Sequence, residues 1–215
     1  MIIKVCGLRD IENVNSLLEN CSPDLLGMIF YSKSPRFIGD TVHKNNLFSS
    51  HAQKRIGVFV DSPFSEILKK VQEFELDGVQ LHGNEGADFV KNIKEALDVT
   101  VIKVFRIGKT LDLEVLRPFE GLAEYFLFDT ETSSFGGSGE RFDWQLLEGY
   151  DLQTPYLLSG GISAEDAEEL VDFQKRNPKM AGIDINSRFE LEPGIKDVDM
   201  VKTFMEKLTG YENED

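Results

Sequence analysis

The sequence predicts a single α/β domain folded as a (β/α)8 TIM barrel of the phosphate-binding type. Three observations support this prediction. Eight short apolar runs recur along the 215 residues, amphipathic helical patterns separate them, and polar or glycine residues follow most of the runs. Repeating units of about 26 residues fit a compact barrel, and a doubly wound open sheet is the alternative architecture.

The eight apolar runs are too short for helices and lack polar alternation, which is typical of parallel strands buried on both faces. They span residues 2–6, 25–30, 55–60, 78–81, 99–105, 125–129, 155–159 and 180–185. The count of eight favours closure into a barrel. No linker or change of composition divides the chain, so we expect one catalytic barrel domain over residues 1–210 and a short acidic tail over 211–215.

Recognisable helix starts lie between the runs. Ser62 is a candidate N-cap with Pro63 at the first helical position. Ser163 and Asp166 have the spacing of a capping box, and Asp197 precedes a helical stripe of apolar residues. Alternation of strand and helix implies parallel strands joined by right-handed crossovers.

Composition restricts the classes of partner. Thirty-eight acidic and 23 basic residues give a net charge of −15, which disfavours nucleic acid and anionic membranes. No apolar run is long enough to span a membrane and no signal-peptide pattern is present, so we expect a cytoplasmic protein. The two cysteines, Cys6 and Cys21, fall at opposite ends of the predicted barrel, too far apart for a disulfide. We expect no metal site, since neither a second cysteine nor paired histidines stand at ligand spacing.

Candidate functional residues follow the strands, at the edge where such barrels carry out their chemistry. They are Cys6, Arg36, His82, Asp129, Gly160, Gly161, Asp184, Asn186 and Ser187. For Cys6 the alternative is an inert buried cysteine. His82 either bridges a loop or contacts substrate, and Arg36 is either a ligand for an anion or a solvated arginine. Asp129 ends an apolar strand, where a carboxylate is costly to bury unless it is hydrogen-bonded or functional.

Two glycine clusters differ in what they predict. Gly160 and Gly161 follow the seventh strand, where main-chain N–H groups can approach a phosphate, and Asn186 and Ser187 after the eighth strand add side-chain donors. A tight turn without a ligand is the alternative for the two glycines. The second cluster comprises Gly136, Gly137, Ser138 and Gly139 in a long loop, which predicts a lid over the site or a flexible surface loop.

With these residues in view, the chain resembles the phosphoribosylanthranilate isomerase family of (β/α)8 enzymes. The motifs that carry the resemblance occur in the family's order over nearly the whole chain. They are Lys-Val-Cys-Gly at 4–7, Phe-Tyr-Ser-Lys-Ser-Pro-Arg at 30–36, Gly-Val-Phe-Val at 57–60, Gln-Leu-His-Gly at 80–83, Gly-Gly-Ser-Gly at 136–139, Phe-Asp-Trp at 142–144, Ser-Gly-Gly at 159–161 and Pro-Gly-Ile-Lys-Asp at 193–197.

The resemblance implies a cofactor-independent Amadori rearrangement of N-(5-phosphoribosyl)anthranilate, a small-molecule phosphosugar, in tryptophan biosynthesis. It implies that Cys6 is the general base, Asp129 the general acid and Arg36 a contact for the anthranilate carboxylate. The implied phosphate contacts are Gly160, Gly161, Asn186 and Ser187, with Asp184 nearby. A monomer or a homodimer is compatible with the family.

The chain departs from the family pattern after the eighth strand, where Asn186, Ser187, Arg188 and Phe189 replace the common pair of serines and Gly-Val. Arg188 could add positive charge to an anion site. Two alternatives to the isomerase remain: a related phosphosugar isomerase or indole-forming lyase on the same barrel, and a non-catalytic phosphosugar-binding barrel. The second would be expected to lack Cys6 or Asp129.

Overall fold

The computed structural model describes residues 1–39, 53–131 and 141–212. Its eight parallel strands pair in sequential order and close into a barrel. The strands are β1 (Ile2–Val5), β2 (Leu25–Ile29), β3 (Lys54–Phe59), β4 (Gly78–Leu81), β5 (Thr100–Ile107), β6 (Tyr125–Thr130), β7 (Tyr156–Leu158) and β8 (Met180–Ile185). Each predicted apolar run overlaps one strand, so the barrel prediction is confirmed and the open sheet is excluded.

Helices lie between most strands. They are α1 (Ile11–Asn20), α2 (Phe64–Phe74), α3 (Ala87–Ala96), α4 (Leu113–Leu116), α5 (Ala167–Arg176) and α6 (Val198–Glu212). Three 3-10 turns span Arg117–Phe119, Trp144–Leu147 and Ser187–Phe189, and a hairpin of β9 (Glu190–Glu192) and β10 (Ile195–Lys196) follows β8. Among the described residues, no helix has the length and apolar character needed to cross a membrane.

Of the three predicted helix starts, the one at Asp197 is confirmed, the one at Ser163 shows a predicted contact but a later helix, and the one at Ser62 is wrong. Asp197 caps α6, because its Oδ1 accepts the N–H of Met200 at 3.0 Å. Asp166 accepts the N–H of Ser163 at 2.7 Å, as in a capping box, although α5 begins only after Asp166. The prediction for Ser62 is wrong: the N-cap of α2 is Pro63, whose extended ψ of 146° keeps it outside the helix.

The chain end also differs from the prediction. Helix α6 continues to Glu212, and the Glu212 carboxylate accepts a hydrogen bond from the Met1 ammonium at 3.1 Å. The helix therefore includes Tyr211 and Glu212, which fall within the predicted acidic tail. Residues 213–215 lie outside the described residues.

The barrel closes where β1 pairs with β8. The register joins Ile2 to Gly182 at one end and Val5 to Ile185 at the other, and places Lys4 opposite Asp184. An apolar cluster fills the interior with Leu25, Ile56, Ile102, Val104, Leu127 and Leu157, all buried. Side chains alternate between the two faces of a strand, so Lys4 and then Cys6 follow Ile2 on the inner face of β1.

The closing pairing predicts the effect of one substitution. A Cβ on Gly182 would lie 2.0 Å from the main-chain oxygen of Ile2, an atom that cannot move without shifting β1. We expect Gly182→Ala to lower the free energy of unfolding by about 1–3 kcal/mol in urea denaturation. Gly149→Ala is the control, since no heavy atom lies within 4 Å of its Cβ position. Equal losses in the two variants would contradict this view of the closure.

Candidate active site

A cleft opens at the carboxyl ends of the strands. Cys6, His82, Asp129 and Asp184, four of the predicted residues, line it, although they come from strands far apart in sequence. The parallel barrel brings them together because all its strands end on the same side.

Cys6 lies directly after β1 with only 4% of its surface exposed. Its N–H donates to the Ile185 carbonyl at 3.0 Å, and its thiol packs against Gly27, where an added Cβ would lie 2.7 Å from Sγ. The same Cβ would lie 3.0 Å from Nζ of Lys4, so the thiol and the ammonium meet over one glycine. Burial raises the pKa of the Cys6 thiol, and the Lys4 ammonium partly opposes this rise.

Lys4 is completely buried, and its Nζ lies 3.0 Å from Oδ1 of Asp184. Burial acts to lower the pKa of Lys4, but the charges of Asp184 and Cys6 outweigh it and raise that pKa. Lys4 therefore stays protonated, and it supplies a fixed positive charge beneath the thiol.

Asp129 ends β6 on the inner face, with 18% of its side chain exposed. Its Oδ1 accepts the N–H of Thr130 at 2.9 Å, and its Oδ2 lies 3.3 Å from Nε2 of His82. The other ring nitrogen of His82 lies 3.2 Å from Nε2 of Gln80. His82 thus connects Asp129 to Gln80, which is a buried residue that also lines the cleft.

The predicted phosphate residues Gly160, Gly161, Asn186 and Ser187 also line the cleft. Gly160 and Gly161 have φ values of +84° and +68°, which L side chains rarely adopt. A Cβ on Gly160 would lie 2.6 Å from the main-chain nitrogen of Thr130, so the loop packs directly against the end of β6. No described residue accepts a hydrogen bond from the N–H groups of these two glycines.

A buried lysine fixes the side chain of Asn186 by a hydrogen bond. Its Oδ1 accepts a hydrogen bond from Nζ of Lys196 at 2.7 Å, and the same ammonium lies 2.8 Å from Oε1 of Glu190. Asn13 of α1 fixes Lys196 in turn, because its amide exchanges two 2.8 Å hydrogen bonds with the Lys196 main chain. Burial lowers the pKa of Lys196, although Glu190 opposes this shift.

Arg36 donates hydrogen bonds to a carboxylate of this chain. It is buried outside the cleft lining, where Nε and Nη2 donate to Glu190 at distances of 2.7 to 3.0 Å. Burial favours the neutral acid, but Arg36 and Lys196 outweigh it and lower the pKa of Glu190. Gly7, with φ of +78°, makes room for this pair, since a Cβ there would lie 2.9 Å from Cδ of Arg36.

The two unusual residues after β8 do not line the cleft. Arg188 is exposed and does not line the cleft. Phe189 is fully buried, with its ring 4.9 Å from that of Phe204, and so anchors the segment to α6.

Several residues around the cleft were not predicted. Lys103 is buried, and it donates to the carbonyls of Leu81 and Gly83 and to Glu85, which fixes the main chain on either side of His82. The others are Lys4, Gln80, Lys196 and Glu190. A signal existed for Lys4 and Lys103, because each interrupts an apolar run, and a buried lysine must have a partner.

Two further predictions concern a lid and a metal site. The predicted lid residues Gly136, Gly137, Ser138 and Gly139 lie outside the described residues. Within the described ranges, no group of three or more histidine, cysteine or acidic side chains could hold a metal ion.

The fold and the cleft define the class of protein: a (β/α)8-barrel enzyme with a thiol and a carboxyl group facing one polar cleft. Comparison with known proteins narrows this class. The family model for N-(5'-phosphoribosyl)anthranilate (PRA) isomerase matches residues 3–207.

Relatives named N-(5'-phosphoribosyl)anthranilate isomerase agree with the family match. The one from Parabacteroides distasonis is 41% identical over 210 residues, covering 97% of this chain and 93% of the relative. The one from Phocaeicola vulgatus is 42% identical over 208 residues, covering 97% and 98%. Among solved structures, the phosphoribosyl anthranilate isomerase of Thermotoga maritima has a TM-score of 0.81 at 30% identity, covering 98% of this chain and all of that one.

The chain belongs to the phosphoribosylanthranilate isomerase family. It is an isomerase of tryptophan biosynthesis that converts N-(5-phosphoribosyl)anthranilate to 1-(2-carboxyphenylamino)-1-deoxyribulose 5-phosphate. This result decides against the other barrel enzymes and the non-catalytic barrel considered from the sequence.

Glu190 offers a test of the buried network. We expect Glu190→Gln to lower the free energy of unfolding by about 3–5 kcal/mol, because it leaves Arg36 and Lys196 without a counter-charge. Glu192→Gln, two residues away and exposed, is the control and should change stability by less than about 0.5 kcal/mol.

The same variant has a pH signature. A lowered pKa in the folded state means that ionised Glu190 stabilises the fold above its unfolded pKa, and that this contribution disappears as pH falls. The stability difference between wild type and Glu190→Gln should therefore shrink below about pH 4 in denaturant titrations. A difference that is constant with pH would contradict the ion-pair assignment.

Proposed function

We propose that Cys6 and Asp129 divide the proton transfers of the rearrangement, with Cys6 as general base and Asp129 as general acid. The observation that carries this proposal is that both groups line one cleft, Cys6 directly after β1 and Asp129 on β6. A sugar placed between them can therefore give a proton to one side and receive one from the other.

The first step opens the ribose ring. Asp129 donates a proton to the ring oxygen, the bond from C1 to that oxygen breaks, and the aniline nitrogen supplies the electron pair that forms an iminium ion at C1. Asp129 is suited to this step because its Oδ2 faces the cleft beside His82, while Oδ1 is fixed by the Thr130 N–H. The carboxyl group is thus oriented before substrate arrives.

The second step removes the proton from C2. The Cys6 thiolate takes this proton, the C–H electrons form the C1–C2 double bond, and the iminium nitrogen becomes neutral. The resulting enol then tautomerises to the ketone of the product. Burial favours the neutral thiol, so the thiolate depends on positive charge nearby. Lys4 supplies a permanent charge, and the iminium ion of the substrate supplies a second.

The phosphate would bind at the loops that follow β7 and β8. Support comes from the N–H groups of Gly160 and Gly161, which have no described acceptor, and from the Ser187 hydroxyl and Asn186 amide at the edge of the cleft. Lys196 fixes Asn186 by its oxygen, which leaves the NH₂ group as the donor. Main-chain donors and one buried cation can bind an anion in an otherwise acidic protein.

Further predictions from the sequence are retained as proposals. Arg36 would reach the anthranilate carboxylate only through the guanidinium edge that Glu190 leaves open, and Asp184 would contact the sugar. The protein would act in the cytoplasm on a small phosphosugar, without cofactor, metal or nucleic acid. It would be a monomer or a homodimer, and sedimentation equilibrium separates these states; a solved relative from Thermotoga maritima is described as dimeric.

The assignment of the acid and the base predicts the behaviour of three variants. Cys6→Ala and Asp129→Asn should each lower kcat by about 10² to 10⁴ and should keep the wild-type circular dichroism spectrum. Cys21→Ala is the matched control, since this second buried cysteine does not line the cleft. The assay follows the loss of anthranilate-type fluorescence from fresh phosphoribosylanthranilate. Wild-type kcat in either of the first two variants would remove its assigned role.

The phosphate proposal predicts a different kinetic change. Asn186→Asp keeps an oxygen for Lys196 but replaces the donor with negative charge, so KM should rise about tenfold or more while kcat changes little. Asn92→Asp adds the same charge on the exposed face of α3 and should leave KM unchanged. A KM for Asn186→Asp equal to that of the control would rule out this phosphate position.

A further inference from the structure

Gln80 is a buried residue that lines the cleft, and the proposed proton transfers do not use it. It stands on the inner face of β4, two residues before His82, and only 1% of its surface is exposed. Its Nε2 lies 3.2 Å from Nδ1 of His82. Its Oε1 is buried and has no hydrogen-bond partner among the described residues. A buried carbonyl without a donor is unfavourable and requires an explanation.

The Gln80 amide determines which nitrogen of His82 carries the proton. An amide NH₂ group only donates, so Nδ1 of the ring must accept. The proton of the neutral imidazole is then on Nε2, which lies 3.3 Å from Oδ2 of Asp129. In this arrangement the Nε2–H group of the ring donates to the Asp129 side chain. We take this as the arrangement of the pair before it takes up the proton used in ring opening.

A general acid requires one proton more on the Asp129–His82 pair. If the proton is on Asp129, its O–H donates a hydrogen bond to Nε2, and the proton of the neutral ring is then on Nδ1. If it is on His82, both ring nitrogens carry protons. In each case Nδ1 becomes a donor and needs an acceptor. A half-turn of the Gln80 amide would bring the unpaired Oε1 to Nδ1.

We propose that Gln80 is a positioning residue for the proton of the general acid. Its amide donates to His82 when the Asp129–His82 pair lacks the extra proton, and it accepts from His82 when the pair carries that proton. This proposal rests on the proposed role of Asp129. One proton enters the pair from solvent and leaves to the ring oxygen of the substrate, so no other reactant is needed.

Gln80 is suited to this task because it carries a donor and an acceptor on one uncharged group. A carboxylate in its place could only accept a hydrogen bond, so it would hold the proton on His82. An apolar side chain could pair with Nδ1 of His82 neither as a donor nor as an acceptor. The charged and titratable groups near the pair are Lys4 and Cys6 on β1, Asp61 after β3, Glu85 after β4, Lys103 and Arg106 on β5 and Asp184 on β8. They are unchanged in variants of Gln80.

Two substitutions test the proposal through the pH dependence of kcat/KM. Gln80→Met has nearly the same shape but cannot accept from Nδ1, so the alkaline limb should move to lower pH by about one unit. Gln80→Glu provides a permanent acceptor, so the alkaline limb should move to higher pH by about the same amount. A purely structural role would change kcat or thermal stability without moving the limb in opposite directions. Limbs at the wild-type position, or displaced in the same direction, would overturn the proposal.

A measurement without substrate separates this proposal from the role of Asp129. The chain has three histidines, and 15N-histidine labelling gives one signal set for each, with His82 identified by its loss in His82→Gln. Above the alkaline limb, wild-type His82 should be protonated at Nε2 only; below it, Nδ1 should carry a proton. In Gln80→Met the Nδ1–H state should appear only at lower pH. A ring protonated at Nδ1 above the alkaline limb in wild type would overturn the proposal, whatever the activity of Asp129→Asn.

Discussion

The pairing of β1 with β8 is the contact on which the active site depends. It closes the barrel, and its register places Lys4 opposite Asp184 with 3.0 Å between ammonium and carboxylate. Cys6 follows two residues later on the same face. A shift of one residue would turn Lys4 and Cys6 away from the barrel interior, because successive side chains point to opposite faces. The register that completes the fold therefore also places the thiol in the cleft.

Three buried lysines support three parts of the cleft. Lys4 pairs with Asp184 beneath Cys6, Lys103 pairs with Glu85 beside the loop that carries His82, and Lys196 pairs with Glu190 behind Asn186. Buried ion pairs contribute little net stability compared with well-packed apolar groups, since desolvation offsets the attraction. Here these ion pairs fix the positions of residues around the cleft. Each ammonium lies close to a residue to which we assign a role in proton transfer or substrate binding.

The fold was largely predictable from the sequence because its signal is local. An apolar run such as 125–129 marks a strand by itself, and eight such runs limit the topology. Residues at the ends of the strands were predicted for the same reason. Ser62 was mispredicted because Pro63 itself adopts the extended conformation of a cap, which leaves the serine outside the helix end.

Partners distant in sequence were not predictable. Arg36 and Glu190 are 154 residues apart, and nothing in the loop around Arg36 indicates that a carboxylate will occupy its guanidinium. The hydrogen bond between Gln80 and His82 is local, but its meaning depends on Asp129, which another strand provides. Buried polar contacts of this kind form only where the closed barrel brings distant residues together. The sequence predicts the strands that build the barrel, but it does not predict which buried side chains meet.

The central claim is that the closed barrel presents Cys6 and Asp129 to different atoms of one sugar. The most direct test is a crystal structure of this protein with reduced 1-(o-carboxyphenylamino)-1-deoxyribulose 5-phosphate, the ligand of a solved relative. We expect Sγ of Cys6 within about 3.5 Å of C2, and Oδ2 of Asp129 at a similar distance from the oxygen on C4. A ligand with C2 turned away from Cys6, or with both groups against the same atom, would contradict it.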